Sequence, residues 1–347
     1  MRNLIFKLLI IIVPVGLMIV ATNYLIDPAN IFSGAHYVDG IANILTRGHN
    51  VDNLSNYDER LFQEQMIKRL HKAPDIVVLG SSRVMEIGSS FFPGETVLNC
   101  GVSHGNINDL FAIIGTLDSM NKLPSEMVIG VEHWLICVGG TSEWQSLYPY
   151  HEYMIKKLLG AHLYPEGVQS PDPFRKISSL FSFDYFESSL QFLLERKSKH
   201  YVDVGLNRPN TYGRFSDGSI CYSKQYTKPD FLKVASDARV VGLETGFPSP
   251  DSSKVRLLEV LLNFLQEKKI KVHLIMIPYH PEFYKAFLEN HHQVAEEWEP
   301  VFRDIATKHH IPLSGSFDAN SVGMPDTVFY DMYHCSGESI KKYIPIL

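Results

Sequence analysis

Asp75-Ile76-Val77-Val78-Leu79-Gly80-Ser81-Ser82-Arg83 is the stretch on which the fold turns. A short apolar run bounded by turn residues suits a strand buried on both faces. Gly80-Ser81-Ser82 stops that run, and serine is a good opening cap for the helical turn that follows. A strand feeding directly into a helical turn is the first half of a βα unit, and such units build parallel sheets covered by helices. The serines then stand at the carboxyl end of a strand, where open α/β sheets bind their ligands.

Similar runs recur along the chain. Thr96–Leu98, Met127–Val131, Val272–Ile277 and, more weakly, Ile311–Leu313 read as further strands. Helical spacing of apolar residues lies between them. Tyr57–His71 carries Leu61, Met66 and Leu70; Asn108–Met120 is a second helix; Ser252–Gln266 carries Val255, Leu258, Leu261, Leu262 and Leu265. Glu282–His309 has room for one or two helices. The alternation predicts an α/β fold with a parallel sheet covered on both faces, formed by residues 73–136 and 251–347.

Between them, residues 137–250 break the pattern with few clean strands, a helical run near Ser188–Arg196 and many aromatics. Tyr148, Tyr150, Tyr153, Phe174, Phe181, Phe183, Tyr185, Phe186 and Phe192 are among them. This stretch reads as an insertion over the active-site face. Its aromatics either shape a ligand site or simply pack.

The front of the chain is different again. Leu4–Ala21 is apolar apart from Lys7, about the length of a membrane span, and Pro14 is tolerated there. Ile19-Val20-Ala21 is a poor cleavage site, so residues 1–26 are expected to be a retained anchor. Arg2 and Lys7 put its N-terminus in the cytoplasm and the later domain outside the inner membrane, periplasmic or extracellular. Residues 27–72 form a juxtamembrane segment with one helix.

The 347 residues carry 32 Lys plus Arg against 38 Asp plus Glu, a net charge of −6 that gives no basic face for nucleic acid. Cys100, Cys137, Cys221 and Cys335 form no CxxC, and their spacings choose no disulfide partners; Cys100, in an apolar pattern, reads as a packed thiol. His280 and the pairs His291-His292 and His309-His310 form no metal-ligand spacing, so neither metal nor other cofactor is expected.

Chemistry enters with Tyr330-Asp331-Met332-Tyr333-His334 near the C-terminus. Asp-x-x-His supplies a base and the group that orients it, and Ser82 supplies a nucleophile, enough for acyl transfer through a serine ester. Gly80-Ser81-Ser82 after one strand, Asn99-Cys100-Gly101 after the next and Asp331-x-x-His334 before a last helix capped by Ser336 resemble the ordered blocks of the SGNH (GDSL-like) hydrolase superfamily. An apolar anchor followed by Asp27-Pro28 and Gly-Ser-Ser-Arg is similar to its cell-envelope members, such as the D-alanyl-transfer protein of teichoic-acid modification and the alginate O-acetylation proteins.

The resemblance covers the α/β part and not the insertion. It implies a three-layer flavodoxin-like fold with Ser82 as nucleophile, His334 as base and Asp331 as its orienter. Ser81 stands where the family has Asp, which leaves open which serine attacks. The oxyanion would be met by the backbone of Ser82 and Gly101. In the third block, Gly130-Val131-Glu132-His133-Trp134 puts Glu132 in place of the family's Asn. An ionised Glu132 would repel an oxyanion, so it either points elsewhere or is held protonated by burial. Asn106 or Asn108 would then be the alternative donor, and Arg83 either contacts an anionic substrate or forms a salt bridge.

The implied activity is serine esterase or O-acyltransferase on a small acyl group, such as acetyl, of an envelope polysaccharide or lipid-linked glycan, with a membrane acyl-donor protein as possible partner. The alternative is a non-catalytic envelope assembly protein that keeps the fold.

Overall fold

Each apolar run becomes a strand because both its faces find cover. In the computed structural model, which describes residues 2–28, 30–137, 139–160, 174–194, 200–244 and 249–346, alternate side chains of one strand enter two different cores. The side chains of residues 2–9, 11, 34, 175, 176 and 290–296 also lie outside the described residues. In chain order the strands are β1 (Asn50–Asp52), β2 (Ile76–Leu79), β3 (Val97–Asn99), β4 (Glu126–Gly130), β5 (Val202–Gly205), β6 (Gly213–Arg214), β7 (Ile220–Cys221), β8 (Lys271–Met276) and β9 (Leu313–Gly315).

Five of them form one parallel sheet in the order β3-β2-β4-β8-β9. Val77 and Leu79 of β2 face the larger core with helices Ile107–Ser119, Ser252–Glu267 and Pro281–Lys308. Ile76 and Val78 face the smaller one, closed by Phe329, Ile340 and Ile344. The chain leaves β2 in one direction to β3 and returns past it to β4, so the order reverses between β2 and β4. A crevice opens at such a reversal outside the carboxyl ends of the strands. The α/β reading therefore holds, with every expected strand present and its bounds shifted by two residues at most.

The remaining four strands make an antiparallel sheet in the order β5-β1-β6-β7. β1 comes from the segment before the α/β part, and the other three strands of this sheet come from the insertion, where few strands were expected. The hairpin β6–β7 docks on the carboxyl-end loops of the main sheet: Asn99 N–H donates to Asp217 C=O at 2.8 Å, and Ile220 N–H to Met85 C=O at 2.8 Å.

At the front, Arg2–Ile26 is a single helix. Among the described residues no helix is long and apolar enough to cross a membrane, so the expected span does not emerge from the structure itself. The turn after this helix is built on Asp27, whose carboxylate accepts the N–H groups of Ile31, Phe32 and Ser33. From the insertion, helices Arg175–Phe181 and Phe183–Leu194 pack against the N-terminal helix rather than over the main sheet. Phe174, Phe181 and Phe183, expected to pack or to line a site, are exposed.

Candidate active site

The site begins where β2 ends. Gly80 has φ of +144°, and a Cβ there would lie 3.2 Å from the Cα of Gly130 at the end of β4, so glycine lets the two strand ends close up. The chain then turns into the 3-10 segment Ser82–Val84, with Ser81 as its cap accepting the N–H of Arg83. The two serines part here. Ser81 is fully buried, and its hydroxyl donates to Glu132 Oε1 at 3.3 Å. Ser82 is half-buried, and its Oγ lies 2.8 Å from His334 Nε2. Only Ser82 faces a base.

His334 and Asp331 share the tight turn Tyr330–His334, closed by Tyr330 N–H donating to His334 C=O at 2.7 Å. One oxygen of Asp331 accepts the N–H groups of Tyr333 and His334, at 2.7 and 2.8 Å, and shapes the turn. The other lies 2.9 Å from His334 Nδ1. With Nδ1 held by the carboxylate, Nε2 presents its lone pair to the Ser82 hydroxyl. Burial pushes the Asp331 carboxyl up, but the hydrogen bonds from His334, Tyr226 and the Tyr333 N–H, with the pull of His334, hold it well below the usual carboxylate range.

Tyr226, from the insertion, is the contact that sequence reasoning missed. Its phenol donates to Asp331 Oδ2 at 2.5 Å and lies 3.1 Å from His334 Nδ1. Burial, reinforced by the adjacent carboxylate, raises its pKa, so it stays a donor. Tyr222 and Tyr330 complete an aromatic wall, with ring centroids 5.0 and 5.4 Å from that of Tyr226. No spacing marks Tyr226 in the sequence; it lies more than a hundred residues before Asp331. Removing the phenol costs Asp331 a hydrogen bond to a charged group, worth about 1.5–3 kcal/mol. Tyr226→Phe is therefore expected to lower turnover by about 10- to 150-fold with KM little changed; steady-state kinetics on an acyl ester check it, and unchanged turnover would remove Tyr226 from the site.

Arg83 lies beneath the site, not in it. Its guanidinium is buried, pairs with Glu132 at 2.5 Å, and donates to the carbonyls of Ile277, Pro278 and Tyr333. It also sits 4.0 Å above the Tyr279 ring. It thus ties the turn carrying His334 to the ends of β4 and β8, and a substrate anion cannot reach it. The same pair accounts for Glu132. That carboxylate points down to Arg83 and Ser81; burial pushes its pKa up, with Arg83 and Ser81 opposing.

The expected oxyanion donors fare differently. The Ser82 N–H opens the 3-10 turn, where helical starts leave donors without an internal partner. The Gly101 N–H is instead given to Asn99 Oδ1 at 2.8 Å. Asn106 caps helix Ile107–Ser119 through its oxygen and donates its amide to Thr141 C=O, while Asn108 Oδ1 lies 3.2 Å from His151 Nε2. Neither side chain is aimed at Ser82 as expected: Asn106 serves the start of that helix, and Asn108 reaches across to His151 of helix Tyr148–Leu159.

All four cysteines are buried, none of them in a disulfide among the described residues, and burial pushes the Cys100 thiol up. Among the described residues no cluster of three or more His, Cys, Asp or Glu side chains could hold a metal ion. His280 caps helix Pro281–Lys308 through Nδ1. The His309 ring lies 3.9 Å from Glu259, and the side chains of His291 and His292 lie outside the described residues. Compared with known proteins, the chain matches no family model and no curated protein.

Proposed function

We propose that this chain is a serine O-acyltransferase or esterase of the SGNH (GDSL-like) type, anchored in the inner membrane and working outside it on a cell-envelope glycan. The observation that carries this reading is the continuous chain of contacts from Ser82 through His334 to Asp331 at the end of the first strand of a parallel sheet.

In the proposed reaction Ser82 Oγ bonds to the acyl carbon of the donor as its proton passes to His334 Nε2. The tetrahedral oxyanion collapses, the donor's oxygen leaves with that proton, and acyl-Ser82 remains. An acceptor hydroxyl then gives its proton to His334, attacks the acyl carbon and releases Ser82, which recovers the proton. The acceptor is a sugar hydroxyl in transfer and water in hydrolysis. Half-buried Tyr222 and Tyr226, backed by buried Tyr330, put aromatic rings with polar rims beside His334, a surface suited to a sugar ring. Transfer is favoured by this surface and by a tether, which raises the effective concentration of membrane-made acceptors. A membrane protein is the proposed source of the acyl group. The anchor is supported by the apolar run of Leu4–Ala21 and by exposed Ile12, Leu17 and Met18 on the N-terminal helix.

One observation favours a second reading, a non-catalytic assembly protein: the Gly101 amide is committed to Asn99, leaving fewer donors for an oxyanion. Deleting the gene separates the possibilities. Loss of an acyl ester from an envelope polymer, not restored by the Ser82→Ala form, is expected for transfer. A more heavily acylated polymer means hydrolysis, and restoration by Ser82→Ala means assembly without chemistry.

A further inference from the structure

We infer that the helical hairpin of residues 174–194 is a second membrane-contacting element, seated in the lipid beside the N-terminal helix; this rests on the anchor reading above. The junction is built, not incidental. Asn23, near the end of the N-terminal helix, is fully buried, and its amide donates to the carbonyls of Ser179, Leu180 and Ser182 at 2.9–3.2 Å. One turn further on, Asp27 accepts the Tyr185 hydroxyl at 2.7 Å. Ser189, four residues after Tyr185, returns to Asn23 Oδ1 at 3.5 Å.

These contacts fix a direction. Tyr185 meets Asp27 and Ser189 meets Asn23, so helix Phe183–Leu194 runs antiparallel to the N-terminal helix, back along its apolar body. Phe183, Phe186, Leu190 and Leu193 recur at spacings of three and four and form a stripe beside the contact face. Both ends of this helix expose large apolar side chains: Leu194 at its far end is 83 % exposed, and Phe181, in the turn of the hairpin, is 68 % exposed. Leu17 on the neighbouring helix is 64 % exposed. Water is a poor solvent for such a surface, and it is continuous with the stretch proposed to cross the bilayer. Lipid is the occupant that covers both: an amphipathic helix buries its apolar face about 5–10 Å into the headgroup–acyl boundary. The polar groups that would suffer there, the carbonyls ending helix Arg175–Phe181, are satisfied by Asn23.

The test places a nitroxide label at Leu17→Cys, Leu194→Cys or Glu267→Cys of the full chain in phosphatidylcholine–phosphatidylglycerol nanodiscs. Collisions with oxygen, which concentrates in lipid, are compared with those of a water-soluble nickel chelate. The wild-type chain, with its four buried thiols, gives the background. The expected result is an oxygen-to-nickel ratio several-fold higher at Leu17 and Leu194 than at exposed Glu267. A lipid signature at Leu17 with a water signature at Leu194 overturns the hairpin inference and leaves the anchor standing. Shielding of Leu194 from both reagents overturns it in favour of a protein partner. A water signature at Leu17 overturns the anchor on which the inference rests.

Discussion

Treated with a fluorophosphonate probe, the wild-type chain is expected to carry one covalent adduct, on Ser82, and Ser82→Ala to carry none. His334→Ala should slow labelling and turnover by about 10⁴- to 10⁶-fold, because nucleophile and base act as one unit and losing either removes nearly the whole effect. Ser81→Ala should label normally, since that hydroxyl is buried on Glu132. Peptide mapping of the adduct by mass spectrometry decides. Undiminished labelling of Ser82→Ala or of His334→Ala would sink the triad.

Arg83→Met is expected to cost about 3–5 kcal/mol of stability by leaving Glu132 buried without its counter-charge. Three carbonyls, those of Ile277, Pro278 and Tyr333, lose their donor as well. With total stabilities of roughly 5–15 kcal/mol for folded domains, that is enough to leave the protein marginal. Replacing both partners, as Arg83→Met with Glu132→Met, should recover part of the loss, since two apolar side chains bury no orphaned charge. Urea denaturation of the three proteins measures it, and a single-variant loss below about 1 kcal/mol would mean water reaches Glu132 after all.

The sheet was legible because its central strands are buried on both faces, which writes β2 and most of β4 as unbroken apolar runs and interrupts β8 only at His273. Its edges were blurred where other bonds intervene. Thr96 looks like strand, but its N–H goes to the Asp75 carboxylate, and β3 begins one residue later. Ile311 has its N–H on Ala306 C=O, closing the preceding helix, and Pro312 has no N–H; β9 starts only at Leu313. At the site, Asp331 and His334 were legible because local turn chemistry sets their spacing, and Ser82 because it follows directly on a buried strand. Gly101 was misjudged because a glycine beside a ligand site and a glycine under an Asn carbonyl look alike in sequence. Tyr226 was invisible, since only the folded insertion brings it to Asp331.

The antiparallel sheet has a consequence in time. β1 lies between β5 and β6, and both begin about 150 or more residues after it. At synthesis rates of about 5–20 residues per second, its hydrogen-bonding edges wait on the order of ten seconds for partners. During that interval Asn50, Val51 and Asp52 present an open strand close behind the first helix. Such an edge is a template for pairing with the wrong chain. A chaperone that holds β1 as the chain emerges would therefore protect the whole molecule, and a chain halted before β5 would be the species that aggregates.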